Sequence, residues 1–388
     1  MQQVASLVQT VDLHSAQAPE SGRMADPIAL LAAIRHRVRT ELAPQAGTID
    51  RDGFYPVATM HGLGRDAAFA GHLKLHSPLA EPDLGFAIEA MTAIGSACMS
   101  TAFCAWCQDA CGWYLEKTDN TALRDRLQAN IASGAQLGGT GLSNPMKALA
   151  GLEKFSLRAA RVAGGYTVTG VLPWVSNLGP GHWFGTILED AADPTHRIMA
   201  MVECGQPGVE ILQNAHFVAL EGTGTYSVGF RRAFIADENL LADPLGDMPK
   251  RIRPGFTLLQ TGMGFGVIEG CIELMRQCDR THRSSNQYLP RQADDIEVDM
   301  QIQRDRVLTL ARMPGASGPD YLRDVLEARL AVSELTLAAT QAAVLHGGAR
   351  GYLEGSAIAR RQREGNFVAL ITPSIRHLRR ELAGMSRN

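Results

Sequence analysis

The chain has 388 residues, 45% hydrophobic and 20% charged, which is ordinary for a globular protein and enough for two or three cores. A net charge of −3 gives no electrostatic case for nucleic acid or an anionic membrane as a partner. Seven cysteines, an odd number without a secretory pattern, predict reduced thiols and a cytoplasmic protein.

The opening residues, 1–24, lack a basic region followed by a long apolar run and read as a flexible N-terminal extension. Asp26-Pro27 is a helix start, a cap followed by proline at the first helical position. Leu30, Leu31, Ile34 and Val38 continue a helical period to about Ala46. A short helix follows near Pro56–Leu63, one or two buried helices over Leu84–Leu115, and an amphipathic helix over Asn120–Ile131. Residues 25–135 therefore read as a helical domain.

The pattern changes at Gly134. Short alternating runs separated by Gly and Pro fill residues 136–245, among them Phe155–Val162, Tyr166–Gly170, His182–Leu188, Arg197–Val202 and Thr225–Phe230. They predict a compact β-barrel or sandwich. Within it, Gly164-Gly165 marks a tight turn. The following arm carries Trp174 beside Ser176, with Pro173 expected to bend the chain. A large flat aromatic next to a hydroxyl, on a strand that reaches the surface, invites a flat ligand.

From residue 250 to 388 helical periodicity returns, with helices near 255–283, 292–312, 319–347, 354–370 and 373–384 and a clear break at 313–319. Long helices with short connections predict an antiparallel four-helix-type bundle, so the fold class is α+β in three domains. The apolar stretches near 257–275 and 328–347 are interrupted by Glu269, Glu273, Glu334 and Gln341, so no membrane span is expected. Gly262-Met263-Gly264-Phe265-Gly266 lies inside a helical pattern with no preceding strand, so it reads as close helix packing rather than a dinucleotide loop. Cys98, Cys104, Cys107 and Cys111 fall largely on one helix face and read as buried packing, with no metal site expected.

Helical domain, β domain, bundle: that order, with four stretches, resembles the acyl-CoA dehydrogenase superfamily of flavoproteins over roughly residues 25–385. The first stretch is Gly139-Thr140-Gly141-Leu142-Ser143, similar to the family's entry into its β domain. The second is Gly170-Val171-Leu172-Pro173-Trp174-Val175-Ser176, similar to its Gly-x-Lys-x-Trp-Ile-Thr without the lysine. The third is Ile235–Leu241, similar to its Val-Pro-x-x-Asn-Leu-Leu exit with alanine for proline. The fourth is His346-Gly347-Gly348-Ala349-Arg350-Gly351-Tyr352, followed at family spacing by Arg363-Glu364 where the family has Arg-Asp.

The resemblance implies FAD between the β domain and the bundle, with FMN or loosely held reduced flavin as the alternative. It implies Trp174 against the flavin ring and Ser176 at its polar edge. Thr140, Ser143 and Ser374 would contact the flavin or its phosphates. Arg283 would meet the pyrophosphate, and Gly347 and Gly348 would approach the adenine half from a neighbouring subunit. A shared site of this kind implies a homo-oligomer, a dimer or tetramer.

The family's glutamate base falls at Thr372 here, and a neutral hydroxyl cannot take an α-proton unaided. His346 and His377 are the remaining candidates for a catalytic group in the bundle. The leading expectation is an FAD-dependent oxidoreductase that moves hydride from an acyl-CoA-like substrate to flavin. One alternative is a two-component flavin monooxygenase fed by a partner reductase. Another is a family member that has lost its chemistry and acts as a binding or assembly protein.

Overall fold

A computed structural model of the chain describes residues 25–212, 215–313 and 316–385. The extension read over 1–24 lies outside those residues. The first helical region comprises α1 (Pro27–Arg37), α2 (Ala43–Asp52), α3 (Val57–Arg65), α4 (Leu84–Ala97), α5 (Met99–Lys117) and α6 (Thr121–Ala132). Helix α1 begins as its sequence directs: Asp26 accepts the Ile28 N–H at 3.0 Å, and Pro27 takes a position that needs no amide donor. Between α1 and α2, Val38–Leu42 winds as a π-helical turn.

The middle region holds β1 (Gly138–Thr140), α7 (Ser143–Leu149), β2 (Leu157–Val162), β3 (Gly165–Val175), β4 (Trp183–Asp190), β5 (Arg197–Glu203), β6 (Val209–Leu212), β7 (Tyr226–Ala236) and β8 (Leu240–Ala242). They form one mixed sheet in the order β6-β7-β3-β2-β4-β5-β8, with β1 parallel to β4. The expected barrel is corrected here, because β6 and β8 end the order and the sheet stays open. Strands β2 and β4 meet only at Arg158↔Glu189 and Ala159↔Asp190, so the sheet divides into two arms around that joint. Val168, Leu172, Phe184, Ile198 and Phe230 from both arms share one core.

Strands β2 and β3 form the expected hairpin, with Gly164 at φ 77° in the turn. The expected bend at Pro173 is absent. The strand runs through it with a register shift against β7 between Leu172 and Val175, where proline has no amide to give the ladder.

The last region holds α8 (Met248–Asn286), α9 (Ala293–Ala311), α10 (Pro319–Gly351), α11 (Ala357–Leu370) and α12 (Ile375–Met385). The glycines of the Gly-Met-Gly-Phe-Gly run let α8 touch its neighbours. A Cβ on Gly266 would stand 2.5 Å from the Gly95 Cα of α4, and one on Gly264 would stand 2.6 Å from Val332 of α10. The run is therefore close packing, as its position inside a helix predicts.

Helix α11 also clamps the break between α4 and α5. Arg361 donates to the carbonyls of Gly95 (2.9 Å) and Ser96, and Glu364 accepts the Met99 N–H at 3.3 Å. The cation thus meets a helix C-terminus and the anion a helix N-terminus, each at its favourable pole. No helix among the described residues is long and apolar enough to cross a membrane.

Candidate functional site

The residues singled out from the sequence fall into two groups. One gathers where the ends of β1 and β3 meet the turn between α11 and α12. Thr140 ends β1 and forms an isolated bridge with Ser176, just past β3. The Thr140 hydroxyl is 2.6 Å from the Tyr114 hydroxyl of α5. Ser176 accepts from the Thr225 hydroxyl at 2.7 Å, and its own proton has no acceptor among the described residues. Ser143 opens α7 with its hydroxyl 3.3 Å from that of Thr372. Ser374 begins the next helix, accepting the His377 N–H at 3.4 Å.

Trp174, two residues before Ser176, is 52% exposed and meets Phe217 edge-on at 6.2 Å. Asn177 fixes the end of this strand. It sits at φ 63°, a conformation asparagine tolerates, accepts from the Tyr55 hydroxyl at 2.6 Å and donates to the Gly138 carbonyl at 2.7 Å.

The second group lies far along the bundle. Thr372 is tied to α8 at Gln260, and Arg283 lies 23 residues further along that helix, about 35 Å away at 1.5 Å per residue. Gly347 and Gly348 lie at the matching end of α10. A Cβ on Gly347 would strike Ile358 of α11 at 2.3 Å, so this glycine serves helix contact within the chain. Gly348, at φ 54°, kinks α10 and faces open space. His346 is occupied on both nitrogens, by the Asp279 carboxylate and the Arg291 carbonyl, each at 3.0 Å. It pins the far end of the bundle and has no free nitrogen for catalysis. One chain therefore brings Thr140, Ser143, Trp174, Ser176, Thr372 and Ser374 together, and keeps Arg283, His346, Gly347 and Gly348 apart from them.

Beneath the Thr372 turn lies a feature that sequence reasoning missed. Arg329 of α10 is fully buried without a carboxylate partner. Its guanidinium donates to Gln260 Oε1 (2.9 Å), to Ser333 and to the Val368 carbonyl (2.8 Å) near the C-terminus of α11. Gln260 in turn donates to the Thr372 carbonyl at 2.9 Å. Burial pushes the Arg329 guanidinium down to about 10.

Beside the hydroxyl cluster is a cavity of about 1900 Å³. Four elements place the two side by side, each giving one residue to the cluster and another, close in sequence, to the cavity wall. These pairs are Tyr114 and Trp113 on α5, Ser143 and Met146 on α7, Gln260 and Gly255 on α8, and Ser374 and His377 at α12. On a helix, three to five residues span roughly 5–8 Å. Trp113 is held by donating its indole N–H to the Ile252 carbonyl at 3.0 Å and by fitting against Gly255.

The cavity lining is cationic on balance, with seven Lys and Arg against Glu81, Asp83, Glu116 and Glu381. Three of the chain's five lysines (Lys74, Lys117 and Lys250) belong to it with Arg312 and Arg380. None of these five has an ion pair among the described residues, whereas Arg253 is paired with Glu381 and Arg251 with Asp119. Lys117 sits 4.0 Å from the Trp113 ring centre, and burial lowers its ammonium from the ordinary lysine range. His377 faces this cavity nearly buried, with no hydrogen-bond partner on either ring nitrogen among the described residues. Burial, opposed by Glu381 and helped by the nearby cations, leaves its imidazole below the ordinary histidine value, hence neutral near pH 7.

Known proteins agree with this architecture. No family model matches the chain. Benzylmalonyl-CoA dehydrogenase of Aromatoleum aromaticum is 26% identical over 211 residues, a match spanning 53% of this chain and only 54% of that relative. A probable acyl-CoA dehydrogenase of Bacillus subtilis is 22% identical over 365 residues, 87% of this chain and 91% of its own. Among solved structures, butyryl-CoA dehydrogenase of Megasphaera elsdenii superposes with a TM-score of 0.83 at 16% identity, covering 95% of this chain and all of that one. KijD3, solved with FMN and a dTDP-sugar, gives 0.78 at 18% identity and 93% of each chain. Dibenzothiophene monooxygenase from Paenibacillus sp. A11-2 gives 0.78 at 15% identity, 92% of this chain and 96% of that one. The chain thus has the fold of the acyl-CoA dehydrogenases, and its sequence is similar to proteins that carry that name.

The cluster fits a flavin. A half-exposed indole, a serine with an uncommitted proton and a ring of hydroxyls without a carboxylate suit a flat, neutral ring with a polar edge.

Proposed function

We propose that the chain is a flavin-dependent oxidoreductase. In this reading the hydroxyl cluster receives the flavin, the adjoining cavity takes an anionic substrate of acyl-CoA-like size, and His377 handles the proton. The observation that carries it is the pairing of cluster and cavity on four separate elements, which would put a flavin in the one beside a substrate in the other. Flavin, when bound, would supply the two-electron exchange. Trp174 would stack on its ring and Ser176 would donate to its edge. Lys74, Lys117 and Lys250 would draw an anionic carrier to the cavity mouth. His377, neutral and unpartnered, would accept or return one proton at a ring nitrogen while Glu381, 3.8 Å from Nε2, steadies the charged form.

The separation of Arg283 and Gly348 from the cluster bears on cofactor and assembly. FAD would need the bundle end of a second copy for its adenine half, so the FAD reading implies a homo-oligomer. FMN needs no such partner.

A second reading, a flavin monooxygenase with a partner reductase, is favoured by one observation. At Thr372 the hydroxyl is within reach of Ser143 and the carbonyl is spent on Gln260, so nothing there can act as the carboxylate base of a thioester dehydrogenase.

The first test is the visible spectrum of the purified protein mixed with FAD or FMN. Wild type should bind one of them, and Trp174→Ala should bind it at least about tenfold more weakly. Anaerobic mixing with acyl-CoA thioesters then separates the readings: bleaching supports dehydrogenation, and oxygen-dependent product with added reductase supports the monooxygenase. His377→Ala should slow either reaction about 10²-fold or more while leaving flavin affinity unchanged. No flavin binding under any of these conditions would leave the non-enzymatic binding role standing and sink both enzyme readings.

A further inference from the structure

Among the five cavity cations without an ion pair, Lys117 differs in depth. Lys74, Lys250, Arg312 and Arg380 are exposed, whereas Lys117 is half-buried in the wall. Its ammonium makes no hydrogen bond among the described residues, and its one close contact is the Trp113 ring. Trp113 lies four residues earlier on α5, so the two share one face of that helix, and both line the cavity. The charges next to Lys117 are already engaged. Glu116 accepts from the Gln128 amide at 3.0 Å and from the Lys74 N–H at 3.2 Å. Arg251 is bound to both carboxylate oxygens of Asp119, each at 2.9 Å, and stands 3.2 Å from Asp247. Burial and Arg251 both disfavour the charged form of Lys117, and Glu116 alone opposes them. Three N–H bonds are therefore uncommitted on a half-buried cation that a cavity reaches, and an anion seated there would relieve both penalties. Long-range attraction of a carrier needs no particular one of the five cations; a seat for a single anionic group does. Multiply charged, strongly hydrated phosphates suit the exposed cations, because stripping their water is costly. One half-buried ammonium over an aromatic ring suits a singly charged group on a hydrocarbon body.

We infer that Lys117 is a specificity-determining residue whose ammonium receives a carboxylate carried by the acyl part of the substrate, with the Trp113 ring beside the adjoining hydrocarbon. The substrate class is then an acyl group with a second, free carboxylate rather than a plain alkyl chain. This rests on the reading of the cavity as the substrate site. No bond is made or broken at Lys117, so binding alone tests it.

The test compares succinyl-, glutaryl- and adipoyl-CoA with the thioesters in which a neutral amide of the same shape replaces the free carboxylate, by calorimetry on the flavin-loaded protein. Wild type should bind at least one of the acids about tenfold or more tightly than its amide. Lys117→Met should erase that preference while keeping affinity for the amide, because the methionine retains the apolar stem. Equal affinities at every length in wild type overturn the proposal. So does a preference that survives Lys117→Met, as it would if the lysine met a carrier phosphate. If no thioester binds, the acyl-carrier reading fails, and reductive methylation of the unaltered protein decides the subsite by itself. Benzoate should slow methylation of Lys117 relative to Lys154, which is exposed and outside the cavity lining, and benzamide should not. Equal protection by both, or protection by neither, overturns the proposal without reference to thioesters or to the folding of any variant.

Discussion

Gln260 links the buried Arg329 charge to the Thr372 carbonyl, and its replacement has two separable consequences. Arg329 already bears a cost for burial, which holds its guanidinium well below the ordinary arginine range, at about 10. What keeps it in place is hydrogen bonding, to Gln260, Ser333 and the Val368 carbonyl. Gln260→Leu would strand the Arg329 Nε–H, a charged donor worth about 1.5–3 kcal/mol, and the Thr372 carbonyl, worth about 1–3 kcal/mol. We expect a loss of about 4 kcal/mol in urea unfolding and a weaker flavin complex.

Gln260→Glu separates the two effects. The carboxylate would give Arg329 a counter-charge, yet it would point an acceptor at the Thr372 carbonyl that Gln260 now reaches at 2.9 Å. Stability should fall by no more than about 1–2 kcal/mol, while flavin affinity drops at least about tenfold because the turn is pushed away. The assay is a pair of measurements on each variant: the urea midpoint and the flavin dissociation constant. Wild-type stability in Gln260→Leu, or wild-type flavin affinity in Gln260→Glu, would refute the idea that this link holds the turn.

Two further outcomes follow from other parts of the structure. Arg361 and Glu364 are both almost fully buried, so Glu364→Gln should cost about 3–5 kcal/mol in urea unfolding by leaving the guanidinium without its charge partner. Adding Arg361→Met to it should recover part of that loss, and a double variant worse than the sum of the two singles would count against a desolvated pair. His196 lies between Asp243 (2.8 Å) and Asp190 (3.3 Å), and the hydrogen bond to Asp243, reinforced by Asp190, raises its imidazolium above the ordinary value. A raised folded value gives stability that is full below about pH 6.5 and is lost as pH rises through the folded value. Urea midpoints should therefore decline on the alkaline side of pH 6.5, and His196→Gln should remove that part of the slope.

What the sequence disclosed divides by distance along the chain. The long helices were legible because a 3.6-residue apolar period survives over many turns, and the glycine run in α8 was legible because its surroundings were helical. Helix α7 escaped notice: Ser143-Asn144-Pro145 starts a helix of only seven residues inside a β-rich region, too short for a period to show. Strands β1, β6 and β8, of three or four residues, failed for the same reason. In the site, Thr140, Trp174 and Ser176 stood out through local motifs. Gln260 and Arg329 did not, because their meaning lies in hydrogen bonds across 69 and 112 residues.

The charges around the cavity also decide which group can move a proton there. Glu381 is the carboxylate nearest His377, yet it is committed to an ion pair with Arg253, and a carboxylate held by a guanidinium is a poorer base than a free one. The cavity-lining charges without an ion pair among the described residues are of both signs, Lys74, Lys117, Lys250, Arg312 and Arg380 against Glu81, Asp83 and Glu116. A proton acceptor at the cavity is therefore one of these carboxylates or a neutral imidazole, and His377 is the imidazole on the α12 side. His377 lies three residues from Ser374 and so stands beside the hydroxyl cluster, whereas His72 lies on the α5 side of the cavity. In the proposed reading, His377 would be the proton-handling imidazole because it stands next to the hydroxyl cluster, and His377→Ala is the variant that tests it.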